Sequence, residues 1–305
     1  MTDTFTPPAP LQTAVLFLVF NRPDTTAQVF EAIRKAKPPR LYVAADGPRF
    51  DRAGEAEKVV EVREIASAVD WPCKVKTLFR KENLGCKYAV SGGITWFFDH
   101  EEQGIILEDD CLPSQSFFWF CEAMLQRYAN AKHIWMVSGF NPRHPGATTN
   151  RCFLSQNPSV WGWASWRDRW GQYDVGMLSW KTSYQLKFQE QVPAYVGSYY
   201  KKAFENTKNG LIDTWDYQLT SLILQNDGFV VKPYCNLISN IGLEGARAMK
   251  KDINHYVELG SYFGGAERNC EFDYEEDLWF YRTRLKPSIW SVPLRIIRKI
   301  KRFIY

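Results

Sequence analysis

Runs of hydrophobic residues alternate with amphipathic segments between Ala14 and Asp110. Residues 14–20 form a continuous apolar run, which is typical of a strand buried on both faces. Shorter apolar runs and segments with helical spacing then follow one another. They predict strands at 41–45, 75–79 and 104–107, and helices that begin at Asp24 or Thr25, at 54 and at 86. This β-α-β-α order predicts an α/β fold with a mostly parallel sheet flanked by helices.

The rest of the chain is less regular. The stretch 138–171 is rich in Gly, Pro, Asn and Trp, which is typical of long binding loops rather than regular structure. No linker divides the chain, so we expect one continuous domain over 11–285, after a flexible tail at 1–10. Further helices are predicted at 117–128, 181–191, 199–209 and 214–225, strands at 134–137 and 229–232, and a basic amphipathic helix at 286–305.

Polar side chains follow each of the first four predicted strands. The carboxyl ends of parallel strands lie at one edge of a sheet, and ligands bind there. We therefore expect these groups to converge on one cleft. They are Asn21 and Arg22, Asp46, Arg80 and Asn83, and the triplet Glu108, Asp109 and Asp110.

The acidic triplet comes directly after the apolar strand at 104–107. Neighbouring carboxylates at the end of a buried strand repel one another, and a cation compensates that repulsion. Oxygen ligands suit Mg²⁺ or Mn²⁺, which commonly share their coordination with substrate phosphates. The triplet therefore indicates a metal or metal–phosphate site, with a solvated acidic turn as the alternative.

Several familiar sites are absent from the sequence. There is no G-x-x-x-x-G-K-[ST] loop and no G-x-G-x-x-G after the first strand, which argues against P-loop enzymes and Rossmann dehydrogenases. The G-x-S-x-G nucleophile elbow is also missing. The net charge of +4 does not indicate a nucleic-acid partner.

Taken in their order along the chain, the residues at the strand ends and three later segments resemble those of GT-A-fold nucleotide-diphospho-sugar glycosyltransferases. The likeness is to family-2-like bacterial transferases and to the inverting N-acetylglucosaminyltransferases that start complex N-glycans. Phe-Asn-Arg-Pro at 20–23 is similar to the end of the family's first strand, where an arginine helps hold the nucleobase. Asp46 is similar to the acid that reads the uracil ring. Residues 80–85 (Arg-Lys-Glu-Asn-Leu-Gly) resemble the segment beside the sugar and diphosphate.

Three further segments carry the resemblance. Residues 108–110 resemble the family's D-x-D equivalent, whose last aspartate, Asp110 here, holds the metal. Trp-Gly-Trp at 161–163 resembles an acceptor loop, and we assign Trp163 to the site and Trp170 to packing. Trp-Asp at 215–216 resembles the segment with the catalytic base, which makes Asp216 the candidate.

The resemblance implies an inverting transferase that moves a hexose or N-acetylhexosamine from a UDP-linked donor to a hydroxyl of a glycan or lipid-linked acceptor. Asp213 is the alternative base, and Lys87 or Arg80 would assist the leaving diphosphate unless they are solvated surface residues. Mn²⁺ or Mg²⁺ is the expected cofactor, although residues 239–249 lack the histidine that often completes the metal shell. The alternatives are a retaining transferase or a non-catalytic, membrane-active or binding protein.

Cysteines and the C-terminal charge bear on location. The seven cysteines include no C-x-x-C pair, so we expect buried free thiols in a reducing cytoplasm. The helix expected at 286–305 places five basic residues opposite an apolar face, which suits the anionic inner face of the cell membrane. Docking of this helix on the domain or on a second subunit is the alternative.

Overall fold

The computed structural model describes residues 5–180, 192–242, 257–264 and 270–285. Most helices and strands of the first half begin and end within two residues of their predicted bounds. The first helix begins at Pro23, with Arg22 at its N-cap, rather than at Asp24 or Thr25. The strands are β1 (Val15–Val19), β2 (Arg40–Ala45), β3 (Lys74–Phe79), β4 (Gln103–Glu108), β5 (Cys111–Pro113), β6 (Ile134–Ser138), β7 (Thr148–Thr149), β8 (Cys152–Ser155), β9 (Trp163–Trp166), β10 (Phe229–Pro233), β11 (Ile238–Asn240) and β12 (Ser261–Tyr262). The helices are α1 (Pro23–Ala36), α2 (Glu55–Ser67), α3 (Gly85–His100), α4 (Gln115–Tyr128), α5 (Arg167–Trp170), α6 (Ala194–Lys208), α7 (Asp216–Gln225) and α8 (Tyr274–Phe280), which continues into a π-helical turn (Tyr281–Leu285).

An eight-stranded sheet with the order β3-β2-β1-β4-β9-β6-β10-β8 organises the described residues. Strands β1 to β4 are parallel, and so are β6 and β10. β9 and the edge strand β8 run antiparallel to their neighbours. The predicted fold class, α/β with a mostly parallel sheet flanked by helices, is confirmed.

Both faces of the sheet are covered at its central strand β1, as the apolar run at 14–20 predicts. Alternate residues of β1 belong to different cores: Val15, Phe17 and Val19 pack with α1, α2 and α4. Leu16 and Leu18 pack with α3 and α7 on the opposite face. All five residues of β1 are buried, because a central strand has no solvated face.

The prediction of long irregular loops at 138–171 is wrong for part of this stretch. β9 lies within it and inserts between β4 and β6, where Ala164 pairs with both Ile105 and Val137. The segment Trp-Ala-Ser-Trp shows no aliphatic run or alternation that would predict a strand. Its pairing partners are distant in the sequence, so only the tertiary structure reveals the strand.

The expectation that all cysteines are free thiols is wrong for two of them. Cys152 and Cys270, which are 118 residues apart, form a disulfide with a Cα–Cα distance of 5.4 Å. The backbone around them is already paired, since Leu154 N donates to Glu271 O at 2.8 Å. The other five cysteines are not disulfide-bonded, and Cys86 is exposed rather than buried.

The helices expected at 181–191 and 286–305 lie outside the described residues. None of the helices in the described part of the chain combines the length and apolarity needed to cross a membrane.

Candidate active site

The sheet has a topological switch point between β1 and β4. From β1 the chain proceeds through β2 and β3 on one side, and β4 pairs with the other side of β1. In open α/β sheets, ligands bind at such a point, outside the carboxyl ends of the strands. Here those ends carry Phe20 after β1 and Asp109 after β4. Phe20 N donates to Asp109 Oδ2 at 3.2 Å, which joins the two ends.

A cleft of about 590 Å³ opens at this switch point, within the size range of small-molecule sites. Its lining combines apolar side chains with arginines and carboxylates. Most of the residues predicted from the strand ends do converge here. The described lining residues are Leu18, Val19, Phe20, Arg22, Ala44, Asp46, Arg49, Arg80, Asn83, Gly85, Cys86, Ala89, Val90, Glu108, Asp109, Asp110, Trp161, Asp213, Thr214 and Asn240.

Arg22 is the cation that faces the acidic triplet. Its Nη1 donates to Asp110 Oδ2 at 2.5 Å and lies 3.3 Å from Asp109 Oδ1. Arg22 is also the N-cap of α1, so the turn from β1 into that helix positions its guanidinium. Gly242 packs against this ion pair, because a Cβ at Gly242 would lie 2.4 Å from Asp110 Oδ2 and 3.0 Å from Arg22 Nη1.

One arginine does not compensate this concentration of negative charge. Burial, together with Asp110, Asp109 and Asp216, raises the pKa of Glu108 well above its ordinary value. Burial, opposed by Arg22, raises the pKa of Asp109 to about 7. The cluster therefore favours a further proton or cation near neutral pH.

The residues suit a divalent cation only in company with a ligand. Among the described residues, no three His, Cys, Asp or Glu side chains are grouped to hold a metal by themselves. Asp110 presents a single carboxylate at the cleft, beside the carboxylates of Glu108 and Asp109. Mg²⁺ and Mn²⁺ are commonly bound by one or two carboxylates together with substrate phosphates, and this donor set fits that mode.

The side of the cleft above β2 is built around Asp46. Its carboxylate accepts hydrogen bonds from Leu84 N (3.0 Å) and Gly85 N (3.1 Å) at the start of α3. Asn83 Nδ2 donates to Gly47 O at 2.8 Å. Gly47 approaches the backbone of Glu82 so closely that a Cβ would lie 2.4 Å from the Glu82 carbonyl carbon. Asp46 and Asn83 thus hold two cleft loops together, in addition to lining the cleft.

Arg80 lies beneath the first turns of α3. Its Nη1 donates to Ala89 O at 3.2 Å, and its Nη2 lies against Gly92, where a Cβ would come within 2.9 Å. Burial lowers the pKa of Arg80 below its ordinary value, yet the guanidinium stays charged at neutral pH. Arg80 therefore brings a fixed positive charge to the floor of the cleft.

Sequence reasoning missed Arg49, which also lines the cleft. Arg49 pairs with Glu55 at the start of α2, and its backbone N donates to Glu55 Oε2 at 2.7 Å. Asn21 Nδ2 donates to the same carboxylate at 2.8 Å. Asn21 therefore binds Glu55 and does not line the cleft. Arg49 could have been found from the sequence, because it is a basic residue only three positions after Asp46 at the end of β2.

The two candidate bases lie at different depths. Asp213 lines the cleft, and its Oδ1 accepts from Lys87 N at 3.3 Å. Asp216 begins α7 and receives hydrogen bonds from the Thr214 hydroxyl and from Tyr217 N. Thr214 lines the cleft, so Asp216 is connected to it through that hydroxyl. Burial raises the pKa of Asp216 above its ordinary value, as suits a general base.

Besides Asn21 and Asp216, two more of the predicted site residues, Lys87 and Trp163, are not among those that line the cleft. The Lys87 ammonium lies 5.4 Å from the ring centroid of Tyr88. Trp163 is 1% exposed and stacks on Trp215 in the core, so the structure does not bring it to the cleft. The aromatic residue of this segment that does face the cleft is Trp161.

Comparisons with known proteins give only distant likenesses. No protein-family model matches the sequence, and no curated protein matches it. Among solved structures, the galactosyltransferase LgtC in complex with donor and acceptor sugar analogues is 10% identical over 84% of this chain and 90% of that chain, with a TM-score of 0.35. The glycosyltransferase GlyE of Streptococcus pneumoniae is 9% identical over 72% of this chain and 45% of that chain, with a TM-score of 0.36. Apo UDP-glucose pyrophosphorylase is 9% identical over 75% and 92% of the two chains, with a TM-score of 0.37. All three TM-scores are below 0.5, so the functional proposal depends on the geometry of the cleft.

Proposed function

We propose that this chain is an inverting glycosyltransferase that moves a hexose or N-acetylhexosamine from a UDP-linked donor to a hydroxyl acceptor. The observation that carries the proposal is the cleft at the switch point. It brings together two arginines on its β2 side, an acidic triplet at its centre, and Asp213 and Thr214 beside the start of α7, where Thr214 donates to Asp216. A nucleoside diphosphate needs cations, a sugar needs polar partners, and an attacking hydroxyl needs a base.

The donor nucleotide is assigned to the β2 side of the cleft. Asp46 and Asn83 line this side, and Arg49 and Arg80 supply positive charge for an anionic diphosphate. Arg22 lies beside the triplet, where charge develops as the diphosphate leaves. A divalent cation bound by Asp110 and the phosphates would neutralise that same charge.

The chemical step is a single displacement. The acceptor oxygen forms a bond to the anomeric carbon, the bond from that carbon to the diphosphate oxygen breaks, and the hydroxyl proton passes to Asp216. Attack opposite the leaving group inverts the anomeric configuration. Asp213 is the alternative base, because it lines the cleft directly.

A thermal-shift screen of nucleotide sugars, with and without Mn²⁺, tests donor and metal together. At a concentration one hundred times its Kd, the true donor stabilises the fold by about 2.7 kcal/mol, which raises the Tm by several degrees. Asp110→Asn should lose the Mn²⁺-dependent part of this shift and nearly all transfer. Asp99→Asn, at an exposed position of α3, is the matched control. An Asp110→Asn enzyme that transfers sugar and still responds to Mn²⁺ would remove the metal proposal.

The product decides the stereochemistry. Proton NMR of the first product formed, before any mutarotation, should show the anomeric configuration opposite to that of the donor. Retention would replace the inverting mechanism with a retaining one while leaving the transferase proposal intact.

The setting we propose is bacterial surface glycan or glycolipid assembly at the inner face of the cell membrane. The support is the basic and apolar pattern of residues 286–305 together with the family resemblance. Co-sedimentation with anionic vesicles should be strong for the full chain and weak for a chain that ends at Lys286. Equal partitioning of both chains would exclude this segment as the anchor.

A further inference from the structure

Trp161 is set into the wall of the cleft on the side away from the nucleotide. It immediately precedes Gly162 and β9, which pairs with β4 on the side opposite to β1. Asp46, Arg49 and Arg80 lie on the other side, beyond the acidic triplet. Trp161, Thr214 and Asn240 all line the cleft.

The indole is supported from beneath by a buried aromatic ring. Phe140 is 4% exposed, and its ring centroid lies 4.8 Å from that of Trp161 at an interplanar angle of 67°. Edge-to-face contacts of this kind stabilise a ring in one orientation. Trp161 itself is only partly buried, so the indole keeps accessible surface on the cleft.

Gly162 makes this placement possible. Its φ of +59° is in the left-handed region, and a Cβ would lie 2.2 Å from Ile238 Cδ1. Only glycine fits both conditions. The turn at Gly162 sends the two tryptophans apart, so that Trp161 faces the cleft while Trp163 stacks on Trp215 at 5.8 Å in the core.

Buried hydrogen bonds fix the segment that leads to Trp161. Lys232 Nζ donates to Ser159 Oγ at 3.0 Å, and Ser138 Oγ donates to Ser159 O at 2.7 Å. Gln156 N donates to Asp277 Oδ2 at 2.7 Å, so α8 also holds this segment. A surface that is held in place before the ligand arrives loses little entropy on binding.

We propose, on the basis of the function proposed above, that Trp161 is the platform on which a pyranose ring of the acceptor stacks. A pyranose presents a face of C–H groups that packs on an indole, while its hydroxyls meet polar partners at the edge. Thr214 and Asn240, which line the same cleft, provide such partners. This position also brings an acceptor hydroxyl toward the start of α7, where Asp216 lies. The acceptor class is therefore a glycan or glycolipid that ends in a pyranose, rather than a simple alcohol.

Fluorine NMR of protein labelled with 5-fluorotryptophan tests the platform directly. The Trp161→Phe variant assigns the Trp161 signal among the 12 tryptophans, and Trp119, on α4, is the internal reference. The probes are UDP, followed by methyl glycosides of glucose, galactose, N-acetylglucosamine and rhamnose in the presence of UDP. We expect at least one glycoside to move the Trp161 signal, with UDP alone leaving it in place. A Trp161 signal that no glycoside moves, or that UDP alone moves as far, would overturn the proposal.

Calorimetry with UDP on the same samples separates this proposal from the one it rests on. Trp161→Ala and Trp161→Phe should bind UDP within about twofold of the wild-type affinity, because Trp161 lies outside the nucleotide half. With an acceptor glycoside that moves the signal, Trp161→Ala should raise the acceptor KM at least tenfold, and Trp161→Phe should raise it less. Loss of UDP binding in Trp161→Ala would contradict the platform. Failure of the wild-type protein to bind any nucleoside diphosphate would contradict the proposed function instead.

Discussion

Some residues of this cleft combine a structural role, which their contacts show, with the chemical role proposed above. Asp46 is the clearest case, since its carboxylate receives the backbone donors at the start of α3 while it lines the side of the cleft proposed for the nucleotide. Asn21 shows the opposite outcome, because its amide binds Glu55 and does not line the cleft. A strand-end position therefore predicts proximity to the cleft better than it predicts contact with a ligand.

At the residue scale, Asp216→Asn separates chemistry from binding. A general base acts in the transition state, so its removal should lower kcat by about 10²–10⁴-fold and leave donor affinity near normal. Because burial raises the pKa of Asp216, wild-type activity should fall with decreasing pH at a value above its ordinary 3.8. Asp213→Asn is the matched comparison. Should Asp213→Asn lose turnover while Asp216→Asn keeps it, Asp213 is the base.

At the scale of elements, turns and helix starts determine which side chains reach the cleft. The loop between β2 and α2 depends on Glu55, which binds Asn21 and both the backbone and the side chain of Arg49. The turn before β9 depends on Gly162. Each can be tested by one substitution with a close control.

Glu55→Gln should destabilise the protein in a pH-dependent way. The hydrogen bond from Arg49, opposed by burial, lowers the pKa of Glu55 from 4.5 to about 2. The carboxylate therefore contributes stability above pH 4.5 that is lost as the pH falls toward 2. Urea unfolding should show a loss of about 1–3 kcal/mol at neutral pH, shrinking below pH 4.5. Glu57→Gln, at an exposed position of the same helix, should show no such loss. A deficit that is constant across this pH range would contradict the ion pair as its source.

Gly162→Ala should destabilise the fold more than the same substitution at another left-handed glycine. At Gly162 the new Cβ meets Ile238 as well as an unfavourable φ, and together these cost about 2–4 kcal/mol. Gly210 has a φ of +73° with nothing within 4 Å of the new Cβ, so Gly210→Ala should cost only about 1 kcal/mol. Chemical denaturation of both variants measures the difference, and equal costs would show that Ile238 moves aside.

On the scale of the whole molecule, distant segments complete the structure around the sheet. The disulfide between Cys152 and Cys270 ties the edge strand β8 to the segment before α8, and α8 holds the loop that leads to Trp161. Disulfides persist in oxidising surroundings and are rare in the cytoplasm. This pair is therefore unexpected at the predicted cytoplasmic location, and it also contributes to stability.

The disulfide is tested by thiol counting and by unfolding. Protein purified without reductant and then denatured should show five titratable thiols, against seven after reduction. Replacing Cys152 and Cys270 by serine should lower the free energy of unfolding by about 2–5 kcal/mol. Cys73→Ser is the control, because it should leave the disulfide intact. Seven thiols in the unreduced protein would show that Cys152 and Cys270 stay reduced in the cells in which the protein was made.

The sequence by itself determined where the first four strands lie along the chain and the fold class. It also determined the convergence of Arg22, Asp46, Arg80 and the acidic triplet. These follow from local rules, because apolar periodicity marks buried elements and parallel strands end at one edge. The tertiary structure alone decided the position of β9, the cysteine pairing, the capping by Asp46 and the choice of Trp161 over Trp163. Each of these depends on a partner many residues away, and on whether a side chain meets the core or the cleft. A local pattern holds no information about that partner, and so it could place Trp161 and Trp163 in one loop without deciding which of them faces a ligand.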